Sequence, residues 1–138
     1  MANECELMFE TSVPIPFTVA DGTAITKGAN LQLSDPFTAS APSANAAMVA
    51  GVAWGDKVAS SGITKLSLYR SGIFKVTFSG SVTAGDPLVL CNGYNLLASG
   101  VGLLTLSGSR IWGVSLESAT DGQTGLAELR PSFGFVAV

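Results

Sequence analysis

The chain contains one pattern twice, and this repeat limits its fold more than any other feature. Thr26–Leu33 (Thr-Lys-Gly-Ala-Asn-Leu-Gln-Leu) returns as Thr83–Leu90 (Thr-Ala-Gly-Asp-Pro-Leu-Val-Leu), 57 positions later (26 to 83). Three further landmarks recur in the same order: Phe37–Ser40 with Leu96–Ser99, Gly51–Ala53 with Gly113–Ser115, and Thr64–Arg70 with Thr124–Arg130. Each copy of an internal repeat is one structural unit that buries its apolar face against its neighbour. The sequence therefore predicts two fused copies, repeat one over about residues 23–80 and repeat two over about 81–138.

Apolar and polar residues alternate along most of the chain, with the period that is typical of extended strands. The pattern is strongest over Ile63–Phe78, where Ser71 and Gly72 indicate a bend or bulge between two strands. The other expected strands are Ala29–Leu33, Phe37–Ser40, Met48–Trp54, Pro87–Cys91, Tyr94–Ala98, Leu103–Leu106, Arg110–Glu117, Thr124–Arg130 and Phe133–Val138. About ten short strands at regular spacing predict an all-β fold, a compact barrel or sandwich built from two pseudo-repeats.

The N-terminal segment, residues 1–17, carries apolar side chains at odd positions: Leu7, Phe9, Val13, Ile15 and Phe17. Pro14 and Pro16 lack backbone N–H groups, and alternate residues of a strand aim these groups at the same edge. We therefore expect an extended arm or edge strand that pairs along one edge only, followed by a single β domain over residues 18–138. Because the apolar face of such an arm needs a partner, we expect these five side chains to contact another subunit.

The composition favours protein partners. Charged residues make up 12% of the chain and hydrophobic residues 47%, whereas about a quarter of a typical soluble domain is charged. The two charge-free stretches, Pro36–Gly55 and Pro87–Ser109, are interrupted by Gly, Asn, Ser and Pro, so we expect no membrane partner. The net charge of −3, with the Lys and Arg residues scattered singly, argues against nucleic acid. The acidic start of the chain differs from a basic export signal, so Cys5 and Cys91 are expected to be free thiols.

The sequence contains no recognisable reaction centre. It has no histidine, which removes the commonest general base and metal ligand. Five of its carboxylates lie in predicted turns, where Asp binds the backbone: Asp21, Asp35, Asp56, Asp86 and Asp121. We therefore expect neither an enzyme nor a metal or cofactor site.

Two pairs of residues have simpler structural interpretations. Gly28 and Gly85 lie in the turns that open the two repeats, where a positive φ is easiest for glycine. Trp54 and Trp112 lie close together in the repeat alignment, which suggests core packing more than a ligand platform.

The series of motifs resembles the capsid cement, or head decoration, proteins of tailed bacteriophages. The resemblance rests on Ile25–Leu33 and Val49–Ala53 in repeat one, and on Val82–Leu90 and Ile111–Ser115 in repeat two. It covers about residues 23–130, and its specificity lies in the order of the motifs. The N-terminal segment up to Pro16 departs from the family pattern.

The resemblance implies a structural virion protein, made in the host cytoplasm, that binds the outer surface of an assembled capsid. Its partners would be the major capsid protein and its own copies, commonly in a homotrimer, and it would have no enzymatic activity. The N-terminal arm would then reach a neighbouring subunit by strand addition. Two alternative functions remain: a head-fibre or tail structural module, and a carbohydrate-binding surface module. An enzyme ranks fourth, far behind these three functions.

Overall fold

The computed structural model describes residues 3–43, 47–91, 95–100 and 110–133, and all regular structure in these residues is β-strand. The strands are β1 (Glu6–Phe9), β2 (Ile15–Thr18), β3 (Asn30–Asp35), β4 (Thr38–Ser40), β5 (Val49–Ala53), β6 (Lys65–Tyr69), β7 (Gly72–Thr77), β8 (Pro87–Leu90), β9 (Leu97–Ser99), β10 (Arg110–Ser115) and β11 (Thr124–Phe133). The expected all-β fold is confirmed. None of the described segments forms a helix that could cross a membrane.

Two expected strands need comment. The strand expected at Leu103–Leu106 lies outside the described residues. The two strands expected near the C-terminal end are one strand as far as Phe133, and the residues beyond it are not described. This strand passes through Pro131 because the β10–β11 register shifts there, and a bulge tolerates a residue that lacks an N–H group.

The first copy of the repeat is a closed five-stranded barrel with the strand order β2-β4-β3-β5-β6. Its neighbouring strands are antiparallel except for β2 and β4, which meet in parallel where Thr18 pairs with Thr38. There the Thr18 N–H group donates to the carbonyl of Phe37 at 2.6 Å. Closure leaves this copy without a free sheet edge along the ring.

The second copy repeats the same connections. Its strands follow the order β7-β11-β10-β8-β9 inside a six-stranded sheet, with β1 added beside β7. Phe78, directly after β7, bridges Leu97 of β9 in parallel, as Thr18 bridges Thr38 in the first copy. This places β7 where the first copy has β2. The structure thus divides the copies in the turn at Arg70 and Ser71, rather than near residue 80.

The turns that lead into the equivalent strands β3 and β8 are alike in detail. Gly28 has a φ of +86° and Gly85 a φ of +93°, so both adopt the left-handed conformation. The Gly28 N–H group donates to the carbonyl of Ala53 at 2.9 Å, and the Gly85 N–H group donates to that of Ser115 at 2.7 Å. Each turn is thereby fixed to the strand that carries the Gly-Val motif of its copy, Gly51-Val52 in β5 or Gly113-Val114 in β10.

The last strands of the two copies, β6 and β11, correspond at an offset that differs from the one in the sequence motifs. Tyr69 and Glu128 occupy equivalent positions, because each pairs with the valine of the Gly-Val motif in its own copy. The offset is therefore 59 (69 to 128), whereas the sequence motifs were aligned at 60 (64 to 124). A slip of one position exchanges the two faces of a strand. The residue equivalent to Arg70 is consequently the buried Leu129, not Arg130.

Strand β5 is buried on both faces and joins the two copies. The β3–β5 register shifts at Gly51, which has a φ of +154°, and this bulge redirects the side chains on either side of it. Ala50 and Ala53 point into the barrel, while Val49 and Val52 belong to the core of the second copy. The second core therefore packs directly on the wall of the first barrel.

The N-terminal segment is part of this framework. It runs antiparallel to residues 65–77, so that β1 pairs with β7 and β2 pairs with β6. Between the two strands, Thr11 Oγ1 donates to Ser71 Oγ at 2.8 Å, and Ser71 Oγ donates to Ser12 Oγ at 2.7 Å. Residues 3–18 therefore provide one edge strand and one barrel strand instead of a separate arm.

A buried polar network crosses the boundary between the copies at Asn30. The Asn30 Oδ1 atom accepts a hydrogen bond from Trp112 Nε1 at 2.9 Å and from Cys5 Sγ at 3.5 Å. Asn30 also donates two hydrogen bonds to Asn95. Its backbone N–H group donates to Asn95 Oδ1 at 3.0 Å, and its Nδ2 atom donates to the Asn95 carbonyl at 3.1 Å. Buried polar groups are costly unless they are paired, so this network fixes how the copies meet.

We predict that Asn30→Ala lowers the free energy of unfolding by about 2–4 kcal/mol, because it removes the side chain that accepts from Trp112 Nε1 and donates to the Asn95 carbonyl. Denaturant unfolding measures the change. Gln32→Ala, which removes bonds to Ser40 and Ser43 nearer the surface, is the control and should cost less than about 1 kcal/mol. Equal costs for the two variants would contradict the importance of the network.

We predict that the glycine of each Gly-Val motif cannot be replaced. A Cβ atom at Gly51 would collide with the carbonyl oxygen of Tyr69, and one at Gly113 would collide with that of Glu128. Ala at either position should lower the free energy of unfolding by about 2–4 kcal/mol. Gly55→Ala is the matched control, because open space surrounds that position; a thermal melt that shows all three variants equally stable would refute the bulge assignment.

The two cysteines should differ in reactivity. Burial raises the pKa of the Cys5 thiol to about 12, outweighing its hydrogen bond to Asn30 and adding to the effect of the nearby Glu4 carboxylate. Burial also raises the pKa of the half-buried Cys91. At pH 8 we expect an alkylating reagent to modify Cys91 first and Cys5 only when the chain unfolds, since the thiolate is the nucleophile. Peptide mapping by mass spectrometry gives the two rates, and equal rates in the native protein would contradict this assignment.

Candidate interaction surface

The structure separates the five side chains that were predicted to contact another subunit. Phe9, Val13 and Ile15 are exposed, with exposed fractions of 60%, 77% and 41%. Leu7 is partly buried against the core of the second copy, and Phe17 is buried inside the barrel. The predicted single face is divided because β1 and β2 belong to different sheets, with the Glu10–Pro14 connection between them.

Exposed apolar residues gather at one end of the first barrel. This is the end at which β2 and β5 begin and β3 and β6 finish. Val13 and Ile15 lie at the start of β2, and Pro36 and Phe37 form the turn between β3 and β4, all four of them exposed. We call these four residues the mouth surface.

Phe37 is the most unusual residue of the mouth surface. Its side chain is 63% exposed although it is a large aromatic, and its φ of +48° lies in the left-handed region, which a bulky side chain rarely adopts. Its ring packs on that of Phe17, with 5.3 Å between the ring centroids. Backbone strain of this kind is concentrated at functional sites. The sequence pattern predicts that Phe37 begins a strand, whereas the preceding Asp35-Pro36 pair is a turn signal that marks its position in the structure.

A pocket of about 440 Å³ opens within the mouth surface. It is lined by Ile15, Phe17, Leu33, Pro36, Phe37 and Arg70. Arg70 is the one charged residue of this lining. Its Nη1 atom donates to the carbonyls of Val49 at 3.0 Å and Ala50 at 2.8 Å, and burial lowers its pKa. Arg70 has no sequence signal that marks it as special, because the repeat motifs match it with the exposed Arg130.

The edge of β2 that faces away from β6 is poorly suited to the addition of a strand from another protein. Along β2 the N–H group of Val19 donates towards β6, to Thr64, whereas that of Thr18 donates to Phe37 on the other side. By alternation, the donor that Pro16 lacks would also face away from β6. Within the chain β2 nevertheless pairs along both edges, with β6 along its whole length and with β4 at Thr18 alone, so the expectation that it pairs along one edge only is wrong.

Several charged side chains among the described residues form hydrogen bonds with backbone groups. Four of the five expected turn aspartates accept bonds from backbone N–H groups: Asp21 from Gly62, Asp56 from Lys27, Asp86 from Thr83 and Asp121 from Gly80. The buried Lys57 donates to the carbonyls of Asp21 and Thr23 at 2.8 Å and 2.7 Å. No group of three or more metal-ligating side chains comes together in the part of the chain that the structure describes.

The two tryptophans occupy different environments. Trp112 is fully buried, as expected of a core residue, but Trp54 is 54% exposed. The expectation of core packing is therefore wrong for Trp54. Trp54 follows the bulge of β5, so it does not share a face with both Ala50 and Val52 as simple alternation would require. In the second copy the equivalent position holds Leu116, which is also exposed at 43%.

Comparison with known proteins relates the fold to one solved structure in particular. No protein-family model matches the chain, and no curated protein matches it. Among the solved structures, the N base of head fiber gp8.5 in bacteriophage phi29 is similar to this chain, with a TM-score of 0.52. The match covers 85% of this chain and 92% of that one, at 18% sequence identity. At this identity the similarity establishes that the two chains share a fold.

Proposed function

We propose that this chain is a structural protein of a bacteriophage particle, which binds the outer surface of the capsid and stabilises it by bridging neighbouring capsid subunits. The observation that carries the proposal is the mouth surface, a cluster of exposed apolar side chains at one end of a closed barrel. Such a cluster on a chain with few charges is typical of a surface that another protein covers. The fold shared with the phage head fiber base supports a role on the phage head.

The stabilising effect follows from binding alone and requires no catalysis. A protein that binds the assembled shell, and not its separated subunits, shifts the equilibrium towards the shell by mass action. Each large apolar side chain that becomes buried contributes about 1.5–3 kcal/mol. A homotrimer would multiply a modest contact by avidity, since its three mouth surfaces would bind neighbouring capsid subunits together.

The contact is proposed to involve the faces of side chains and not strand addition. One edge of β2 is paired with β6, and the other edge is paired with β4 at Thr18 and lacks the N–H donor at Pro16. Val13, Ile15 and Phe37 can still be covered without any new backbone pairing. This replaces the extended arm with a preformed surface, which loses less conformational entropy on binding.

A second candidate function is the base of a head fibre, which the similarity to the gp8.5 N base favours specifically. Both functions require attachment to the head. They differ in what lies beyond the chain, because a fibre base carries further protein on its outward side, whereas a cement protein forms the surface of the particle. The exposed pair Trp54 and Leu116 is available for such an outward contact.

We predict that the double variant Ile15→Ser, Phe37→Ser binds phage heads that lack the protein at least about tenfold more weakly than the natural chain. Both side chains are exposed, so the free energy of unfolding should change by less than about 1 kcal/mol. Co-sedimentation with heads over a range of protein concentrations gives the affinity and the number of bound copies. Light scattering of the free protein gives its oligomeric state.

The matched control is Val58→Ser, Ile63→Ser, which removes two exposed apolar side chains from the loop at the opposite end of the barrel. This control should bind heads as the natural chain does. The proposal would be refuted if the mouth-surface variant bound normally, or if both double variants lost the same affinity.

A further inference from the structure

We propose that the pocket in the mouth surface is a receptor for an apolar side chain with a carboxylate beside it, presented by the protein that this surface binds. The pocket walls would hold the apolar group, and the guanidinium of Arg70 would bind the carboxylate. The inference rests on the proposed function for the identity of the partner, but the pocket itself can be tested without any phage particle.

Arg70 is a partly buried cation without a counter-ion among the described residues. The guanidinium is partly buried at the side of an apolar pocket and forms no ion pair with any residue that the structure describes. Its two hydrogen bonds to described residues both use Nη1 and both go to neutral carbonyls. Burial without an anion is reflected in its lowered pKa. A cation that has already lost part of its hydration gains more from a carboxylate than an exposed one does.

The fold does not need a cation at this position. In the second copy the equivalent residue is Leu129, which is fully buried in the core. The last strand of a copy can therefore carry an apolar side chain at this position when that copy has no mouth surface. Arg70 is thus a departure from the repeat at the place where the exposed apolar residues are found.

The guanidinium of Arg70 is preorganised for binding a carboxylate. The bonds from Nη1 to the Val49 and Ala50 carbonyls hold the guanidinium in one orientation against β5. A guanidinium presents two parallel N–H groups to a carboxylate, and no described residue accepts a bond from Nε or Nη2. The partner that fits is therefore a protein segment with a large apolar residue next to Asp or Glu, whose side chains fill the pocket and pair with Arg70.

The test uses two small probes of the same shape, 3-phenylpropionate and its neutral amide, 3-phenylpropanamide. Each is titrated into the natural protein, and binding is followed by NMR shifts of backbone and arginine side-chain groups. We expect shifts at Ile15, Phe37 and Arg70, and at least about tenfold tighter binding of the acid than of the amide. Arg70→Gln should abolish this preference, and the control Lys75→Gln, which removes an exposed charge from β7, should leave it unchanged.

The inference is overturned if the acid and the amide bind equally well, if neither binds, or if their shifts fall outside the pocket. The comparison of the two probes on the natural protein gives this answer even if Arg70→Gln does not fold. Head binding by the mouth-surface variants distinguishes the two proposals. A pocket that prefers the acid, in a chain whose variants bind heads normally, would refute the proposed function alone; the reverse pattern would refute this inference alone.

Discussion

The structure depends on one strand that is buried on both of its faces. Strand β5 contributes Ala50 and Ala53 to the first barrel and Val49 and Val52 to the second core, and it can do so only because the bulge at Gly51 redirects the chain. Each β-copy has one apolar interior, and sharing a wall lets the second interior be completed without an additional layer. The Asn30 network then fixes the relative position of the copies, because each of its buried polar groups needs its hydrogen-bond partner.

The sequence predicted the all-β class, the duplication and most of the strands, because alternation and repeated turn residues are local signals. It did not predict how the N-terminal residues pair, since their partners at residues 65–77 are far away in the chain. It also predicted the wrong environment for Trp54 and the wrong equivalent of Arg70 in the second copy. A bulge at Gly51 and a one-position slip between copies each reverse the face on which a side chain lies, and neither leaves a clear sequence signal.

The candidate interaction surface is found where the two copies differ. β1 occupies the edge of β7 in the second copy, whereas Pro16 limits pairing along the corresponding edge of β2. Arg70 stands where the second copy has a buried leucine. The strained Phe37 is exposed beside it. The duplication supplies a stable scaffold, and these few departures from it distinguish one end of the first barrel as a surface for another protein.

The central claim is that the mouth surface of the first barrel faces a capsid shell. A cryo-electron microscopy reconstruction of phage particles with and without this protein tests it most directly. The account predicts extra density on the outer surface, into which the chain fits with Ile15 and Phe37 against the capsid subunits. Density in which this end of the barrel points away from the shell, or particles that never contain the chain, would contradict it.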